Sequence, residues 1–140
     1  MNILKILTDK RITGNFGERA AARYLRRNRY KILKMNYVAF DNEIDIIAES
    51  KDVYAVVEVK TRTLGHLNER EPRPASAVTP EKQRKIMQTA AFHKSWNAKG
   101  KKMRFDIIEV YVENKNGKAK VREIKHLQGA FTKDTAYRRR

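Results

Sequence analysis

Cysteine is absent from this sequence, and with it go disulfides, thiolate zinc sites and cysteine nucleophiles. Such a chain suits a reducing cytoplasm. The histidines, His66, His93 and His126, stand far apart and in no ligand spacing. Neither a phosphate-binding glycine loop nor a dinucleotide fingerprint occurs. Gly14-Asn15-Phe16-Gly17 matches only the bare GXXG of a KH clamp and reads better as the start of a helix. No apolar run approaches the length that spans a bilayer, so no membrane partner is expected. Residues 1–7 are apolar only in pieces, broken by Asn2 and Lys5 and followed by Asp9-Lys10-Arg11, which does not read as a signal peptide. Acids are scarce: 16 Asp+Glu stand against 32 Lys+Arg, a formal charge of +16. That imbalance points to a polyanionic partner, nucleic acid before an anionic membrane surface.

What is present is enough for one core, since 41% of the 140 residues are hydrophobic. Two apolar, β-branched runs dominate, Glu43-Ile44-Asp45-Ile46-Ile47-Ala48 and Val53-Tyr54-Ala55-Val56-Val57-Glu58-Val59-Lys60, joined by the polar link Glu49-Ser50-Lys51-Asp52. The spacing predicts an antiparallel hairpin. Strand side chains alternate faces, so Glu58 and Lys60 share one face, and simple register across the link brings Asp45 beside them. Two carboxylates and an ammonium then gather in one place, with Glu43 two residues before Asp45. Like charges a few ångströms apart push each other towards protonation, a cost that a divalent cation removes. Charges at strand ends also occur simply facing water, and in that reading the cluster is an ion-pair patch.

The flanking chain frames this hairpin. Residues 1–13 read as a lead-in and 14–127 as a single domain. A first helix is predicted from about 15 to 28, with Phe16, Ala20, Ala21, Tyr24 and Leu25 on its apolar face. Glu18 has two readings: partner of Asn15 in a capping box, or an acid leaning over the sheet towards Asp45. Arg23, Arg26 and Arg27, with Arg29, crowd the helix end, either as a solvated face suited to the macrodipole or as a phosphate track, which the charge balance favours. A strand over 30–40 and a turn at Asp41-Asn42 lead into the hairpin. Residues 61–78 show no periodicity and form a long loop beside Glu58 and Lys60, placed to handle a substrate. Thr79-Pro80-Glu81 opens a second helix that runs to about 97, with Ile86, Met87 and Ala90 inward and His93 as a packing residue. Lys82, Arg84 and Lys85 lie outside that stripe and, with Arg62, extend the candidate phosphate contacts. Gln83, in the first turn, either reaches the edge of the sheet or sits on the surface. Residues 103–112 predict a strand covered on both faces, Asn116-Gly117 a primed hairpin turn, and 121–127 a last strand. Residues 128–140 end in three arginines and read as a flexible basic tail. The order α-β-β-β-α-β-β predicts an α+β fold, a mixed sheet flanked by helices.

Several separated segments together resemble one family. Gly14-x-x-Gly17-Glu18 with Ala21, Tyr24 and Leu25, then Glu43-Ile44-Asp45-Ile46-Ile47-Ala48, then Val57-Glu58-Val59-Lys60-x-Arg62, are similar to the YraN family of small bacterial proteins. The similarity continues through Ala77-Val78-Thr79-Pro80 with Lys82-Gln83, through Arg104-Phe105-Asp106, and from Ile124 to Phe131. It implies a restriction-endonuclease-like fold akin to Holliday-junction resolvases. The acid and acid-x-Lys signature of such nucleases would fall on Asp45, Glu58 and Lys60, with Glu18 as an additional acid and Gln83 as a helper. The implied activity is endonucleolytic hydrolysis of phosphodiester bonds in DNA, branched DNA above all, with Mg²⁺ or Mn²⁺ held by Asp45, Glu58 and the carbonyl of Val59. Symmetric cutting of a four-way junction would call for a homodimer. The alternative keeps the fold without catalysis, as a nucleic-acid-binding protein for DNA or RNA. In one departure, the family's usual glycine before Glu-Ile-Asp is Asn42 here, expected to take the left-handed conformation a glycine would.

Overall fold

Continuous apolar runs, as at residues 46–48 and 53–57, produce strands whose two faces both need covering, and two helices supply the cover. The computed structural model describes residues 10–63, 78–93 and 100–137. The chain runs α1 (Lys10–Arg27), β1 (Lys31–Ala39), β2 (Asn42–Glu49), β3 (Val53–Thr63), α2 (Pro80–His93), β4 (Lys102–Lys115), β5 (Lys118–Phe131) and a short α3 (Lys133–Ala136). The five strands stand in sequence order in one sheet. Neighbours are antiparallel except β3 and β4, which run parallel across the α2 crossover. This is the mixed α+β sheet that the sequence predicts, in the restriction-endonuclease-like order, with one further helix at the end. No helix among the described residues is long and apolar enough to cross a membrane.

Ala20, Ala21, Ala22 and Leu25 of α1 pack on Ile46, Ala48, Val57, Ile108 and Val110. Ile86, Met87 and Ala90 of α2 pack on the other face against Ile44, Ile47, Tyr54, Val56 and Ile107. His93 is buried there and hydrogen-bonded to the Tyr54 hydroxyl, in the packing role expected of it. The helix α1 lies close against β3 at Gly17, where an added Cβ would stand 1.8 Å from Thr61 Oγ1 and 3.0 Å from its Cβ. Thr61 is β-branched, so rotating it replaces one obstructing atom with another. Gly17→Ala is expected to lift α1 from β3 and to cost about 1–3 kcal/mol in urea unfolding. Thr61→Ala in the same background should return part of that loss, and a neutral Gly17→Ala would contradict the close packing.

A second tie is polar. Asp106 of β4 is fully buried. Its Oδ1 accepts from Arg104 Nε at 2.8 Å and from the Gly129 N–H at 3.0 Å, while Oδ2 accepts from Arg104 Nη2 at 2.7 Å and from His126 Nε2 at 2.7 Å. Arg104 Nη2 also donates to the Tyr30 hydroxyl at 2.6 Å, and the Tyr24 hydroxyl meets His126 Nδ1 at 3.2 Å. The network therefore joins α1 and the approach to β1 with β4 and β5.

Several expected boundaries move. α1 begins at Lys10, so residues 10–13 belong to the helix rather than to a lead-in. Gly14 to Glu18 are therefore inside it, past the four amides that a helix leaves unbonded, and no capping box forms at Asn15. The helix closes on Arg29 in the left-handed conformation (φ 68°), with the Tyr30 N–H donating to the Leu25 carbonyl at 3.0 Å. Residues 128–137 are not a tail: β5 runs to Phe131, and Leu127, Ala130, Phe131 and Ala136 join the core under α2. β3 reaches Thr63, inside the expected loop, and Val78 is buried. Residues 64–77 of that loop, 94–97 of the second helix, 1–9 and 138–140 lie outside the described residues.

Candidate active site

The site forms where the sheet opens. β2 and β3 pair from Glu49↔Tyr54 to Ile46↔Val57, and there the ladder stops. Beyond it the Val59 N–H donates to Asp45 Oδ2 at 2.8 Å instead of to a strand carbonyl. On the other side of β2, the ladder with β1 skips Asn36 and Asp45 between Met35↔Ile46 and Tyr37↔Ile44. Asn36 adopts φ 52° at this break, and Ile44 and Ile46, two residues apart, pack on opposite faces of the sheet. Asp45 is thus turned out of ordinary alternation, within reach of groups from both faces.

Glu18 from α1 and Glu43 from β2 meet it there. One oxygen from each of Glu18, Glu43 and Asp45 lies within 4.8 Å of the others. Asn36, with its amide nitrogen turned to the acids, donates to Glu18 Oε2 at 2.9 Å and to Glu43 Oε1 at 2.5 Å. Glu58 and Lys60 of β3 stand close enough to feel the Asp45 charge, with Lys60 Nζ 3.6 Å from Glu58 Oε1. A second ammonium comes from α2, where Lys82 Nζ donates to Asn42 Oδ1 at 3.0 Å.

Crowding shows in the proton affinities. Burial, then the Asp45 charge and also Glu43, push the Glu18 carboxyl up to about 7 against the Asn36 hydrogen bond. Burial and then Asp45 push Glu58 to about 7, although Lys60 and Lys82 pull the other way. Asp45 is raised by burial and by Glu43, more than the Val59 amide, Lys60 and Lys82 lower it.

Of the residues singled out from the sequence, Asp45, Glu58, Lys60 and Glu18 come together. Glu43, read only as a neighbour of Asp45, is a full member, and Lys82 faces the acids rather than solvent. Gln83 is placed elsewhere: Nε2 donates to the Val78 carbonyl at 3.0 Å and Oε1 accepts from Thr135 Oγ1 at 2.7 Å, fastening α3 to the start of α2. One residue along a helix turns the side chain by about 100°, which separates the two roles. The signal for Lys82 was available, because the inward stripe of Ile86 and Ala90 extended back by four residues reaches it. Asn42 is not left-handed; Phe40 and Asp41 make the turn, and the Asn42 side chain bridges Lys82 and Thr89 instead. Val59 offers its N–H to Asp45.

The basic candidates divide. Arg84 Nη1 donates to the Ala136 carbonyl at 2.6 Å, and Lys85 lies 3.6 Å from Glu81. Arg62 is half-buried on β3, while Arg23, Arg26 and Arg27 are exposed on α1. Arg23 and Arg27, with Lys120 opposite, rim a groove of about 440 Å³ between α1 and β5.

Residues 17–110 match the family described as Uncharacterised protein family UPF0102. A UPF0102 protein of Acetivibrio thermocellus is 40% identical over 126 residues, covering 88% of this chain and 93% of that protein. Another, from Caldanaerobacter subterraneus subsp. tengcongensis, is 40% identical over 124 residues, covering 88% and 97%. A third, from Geobacter metallireducens, is 38% identical over 122 residues, covering 84% and 90%. The matched stretch contains every acid of the cluster together with Lys60 and Lys82, and the chain belongs to the UPF0102 family, the YraN family that its segments resemble.

Proposed function

We propose that this protein is a metal-dependent endonuclease that hydrolyses phosphodiester bonds in DNA. The observation that carries the reading is the convergence of Asp45, Glu58, Glu18 and Glu43 with the ammonium groups of Lys60 and Lys82 at the point where β2 leaves β3. Partly buried acids that raise one another's proton affinity cost folding free energy, and such sets concentrate at functional sites. The donors are carboxylate oxygens, the hard ligands that Mg²⁺ and Mn²⁺ take. Asp45 gives Oδ2 to Val59, which leaves Oδ1 for a cation, with Glu58, Glu18, Glu43 and the Val59 carbonyl as further ligands. Held there, a divalent cation supplies positive charge to the phosphoryl oxygens and to the attacking water.

The chain's own groups do the rest. Glu18 accepts a hydrogen bond from the water and takes its proton as the water oxygen bonds to phosphorus and the bridging P–O bond breaks, and a solvent water protonates the oxygen that leaves. Lys60 and Lys82 stabilise the negative charge that develops on the phosphoryl group. Arg23, Arg26, Arg27 and Arg62 hold the backbone through salt-sensitive contacts that ignore sequence. A branched substrate, cut by a homodimer, extends this reading on the family resemblance alone, and a cytoplasmic setting extends it on the lack of cysteine.

The test is incubation of the protein with labelled four-way-junction, flap, single-stranded and duplex DNA in Mg²⁺, Mn²⁺ or EDTA. Metal-dependent cutting of a branched substrate, absent in EDTA, is expected. Tight binding without cutting in any metal would replace this reading with a nucleic-acid-binding protein whose acids and lysines neutralise one another, which the 3.6 Å contact of Lys60 with Glu58 favours.

A further inference from the structure

The turn between β1 and β2 carries a strain that folding alone does not explain. Phe40 and Asp41 both take φ 55°, the left-handed pair of a type I′ hairpin turn, which favours Asn-Gly. A bulky side chain is strained at such an angle, and Phe40 recovers little by burial, since 57% of it stays exposed. Its ring meets Phe92 of α2 edge-on, with centroids 5.5 Å apart. Phe92 is 61% exposed and Val38, two residues back along β1, is 64% exposed. Most of the exposed large hydrophobic surface among the described residues is therefore at one corner of the molecule.

That corner is fixed to the candidate active site. Phe40 stands two residues before Asn42, whose side chain bonds Lys82 at 3.0 Å and Thr89 at 3.2 Å. Thr89 Oγ1 donates to the Ala39 carbonyl at 3.2 Å, and Phe92 lies one turn further along the same helix. The aromatic pair thus borders the strand that carries Glu43 and Asp45.

We infer that Phe40 and Phe92 form a wedge on which unstacked bases of a nucleic-acid strand rest as it enters the site at Glu43 and Asp45. Strain retained in an exposed aromatic is the mark of a contact made outside the fold. Charge selects nucleic acid over a protein face: the chain carries +16, and the Lys82 ammonium is held at Asn42, two residues beyond Phe40. Aromatic faces stack on any base while a positive surround holds the phosphates. The inference rests on reading the site as a nucleic-acid site, though not on cleavage there.

The experiment measures binding in EDTA to a forked DNA with 2-aminopurine at its unpaired position, beside the matching duplex. Wild type is expected to quench the unpaired base and to bind the fork about tenfold more tightly than the duplex. Phe40→Asn and Phe92→Ala should lose the quenching and bring fork affinity to within about twofold of duplex affinity. Phe40→Asn, a residue suited to the turn, should melt at or above the wild-type temperature, which separates lost binding from lost folding. Unchanged quenching and fork preference in both variants would overturn the wedge, while persistent duplex binding would leave the reading of the site standing. Wild type that binds no DNA overturns both. A wild-type dimer that Phe40→Asn splits, with fork preference intact, would make the patch a contact between copies and overturn the wedge.

Discussion

Asp106→Ala is expected to lower stability by about 3–5 kcal/mol and the melting temperature by about 10–15 °C. Asp106 has no exposed surface and accepts from Arg104, His126 and the Gly129 amide. Burial alone would raise its pKa, but the hydrogen bonds from His126, Arg104 and Gly129 outweigh burial and hold the carboxyl below its usual range. In the alanine variant the Arg104 guanidinium keeps the Tyr30 hydroxyl but loses its carboxylate, on a side chain only 17% exposed. A domain of this size is stable by about 5–15 kcal/mol, so that loss is a large share. A carboxyl with a depressed folded pKa stabilises the fold above its ordinary value of 3.8, and that contribution fades as pH falls through the folded value. Urea unfolding should therefore show the largest gap between wild type and variant near neutral pH, and convergence in strong acid. A loss under about 1 kcal/mol at pH 7 would show that the network is not the tie described.

The acid cluster predicts the opposite slope. In metal-free protein Glu18 and Glu58 rise from 4.5 to about 7, so across that window the folded chain keeps protons that the unfolded chain has released. Their contribution is intact below 4.5 and is lost as pH rises through about 7. Metal-free protein should lose stability over this range, and Glu18→Gln should flatten the loss. Mg²⁺ or Mn²⁺ at about 100 times its Kd adds about 2.7 kcal/mol, or about 5–10 °C. That gain should appear at pH 7.5 and shrink at pH 5, where protons occupy the same oxygens. A metal-induced shift that is absent at pH 7.5, or equal at the two pH values, would contradict a carboxylate metal site.

Much of the architecture was legible because residues 43–48, 53–60 and 103–112 are strong apolar, β-branched runs, and because Thr79-Pro80 and Asn116-Gly117 punctuate the chain unambiguously. The hairpin register that brings Asp45 near Glu58 followed from a short link. What the sequence could not supply is the interruption at Asn36 and Asp45, since a break in pairing depends on two strands at once and leaves no periodic trace. That break recruits Glu43 and gives Asp45 its bond to Val59. Lys82 and Gln83 exchanged roles for a smaller reason: adjacent residues differ by helical pitch alone, and only a correctly phased stripe tells them apart. Phe40 was hidden for the reverse reason, because local preference argues against a bulky aromatic in a left-handed turn. The Asp106 network joins residues from β4, β5 and α1, far apart in the chain, and has no local signature beyond the Arg104-Phe105-Asp106 segment.

The most direct test of the central claim is single-turnover cleavage, in Mg²⁺, of the DNA that wild type cuts best, beside Lys60→Ala and Lys82→Ala, with affinity measured separately in EDTA. Each variant is expected to cleave about 10²- to 10³-fold more slowly while its DNA affinity changes by less than about tenfold. Wild-type cleavage that persists in EDTA, or an undiminished rate in Lys60→Ala, would contradict the account.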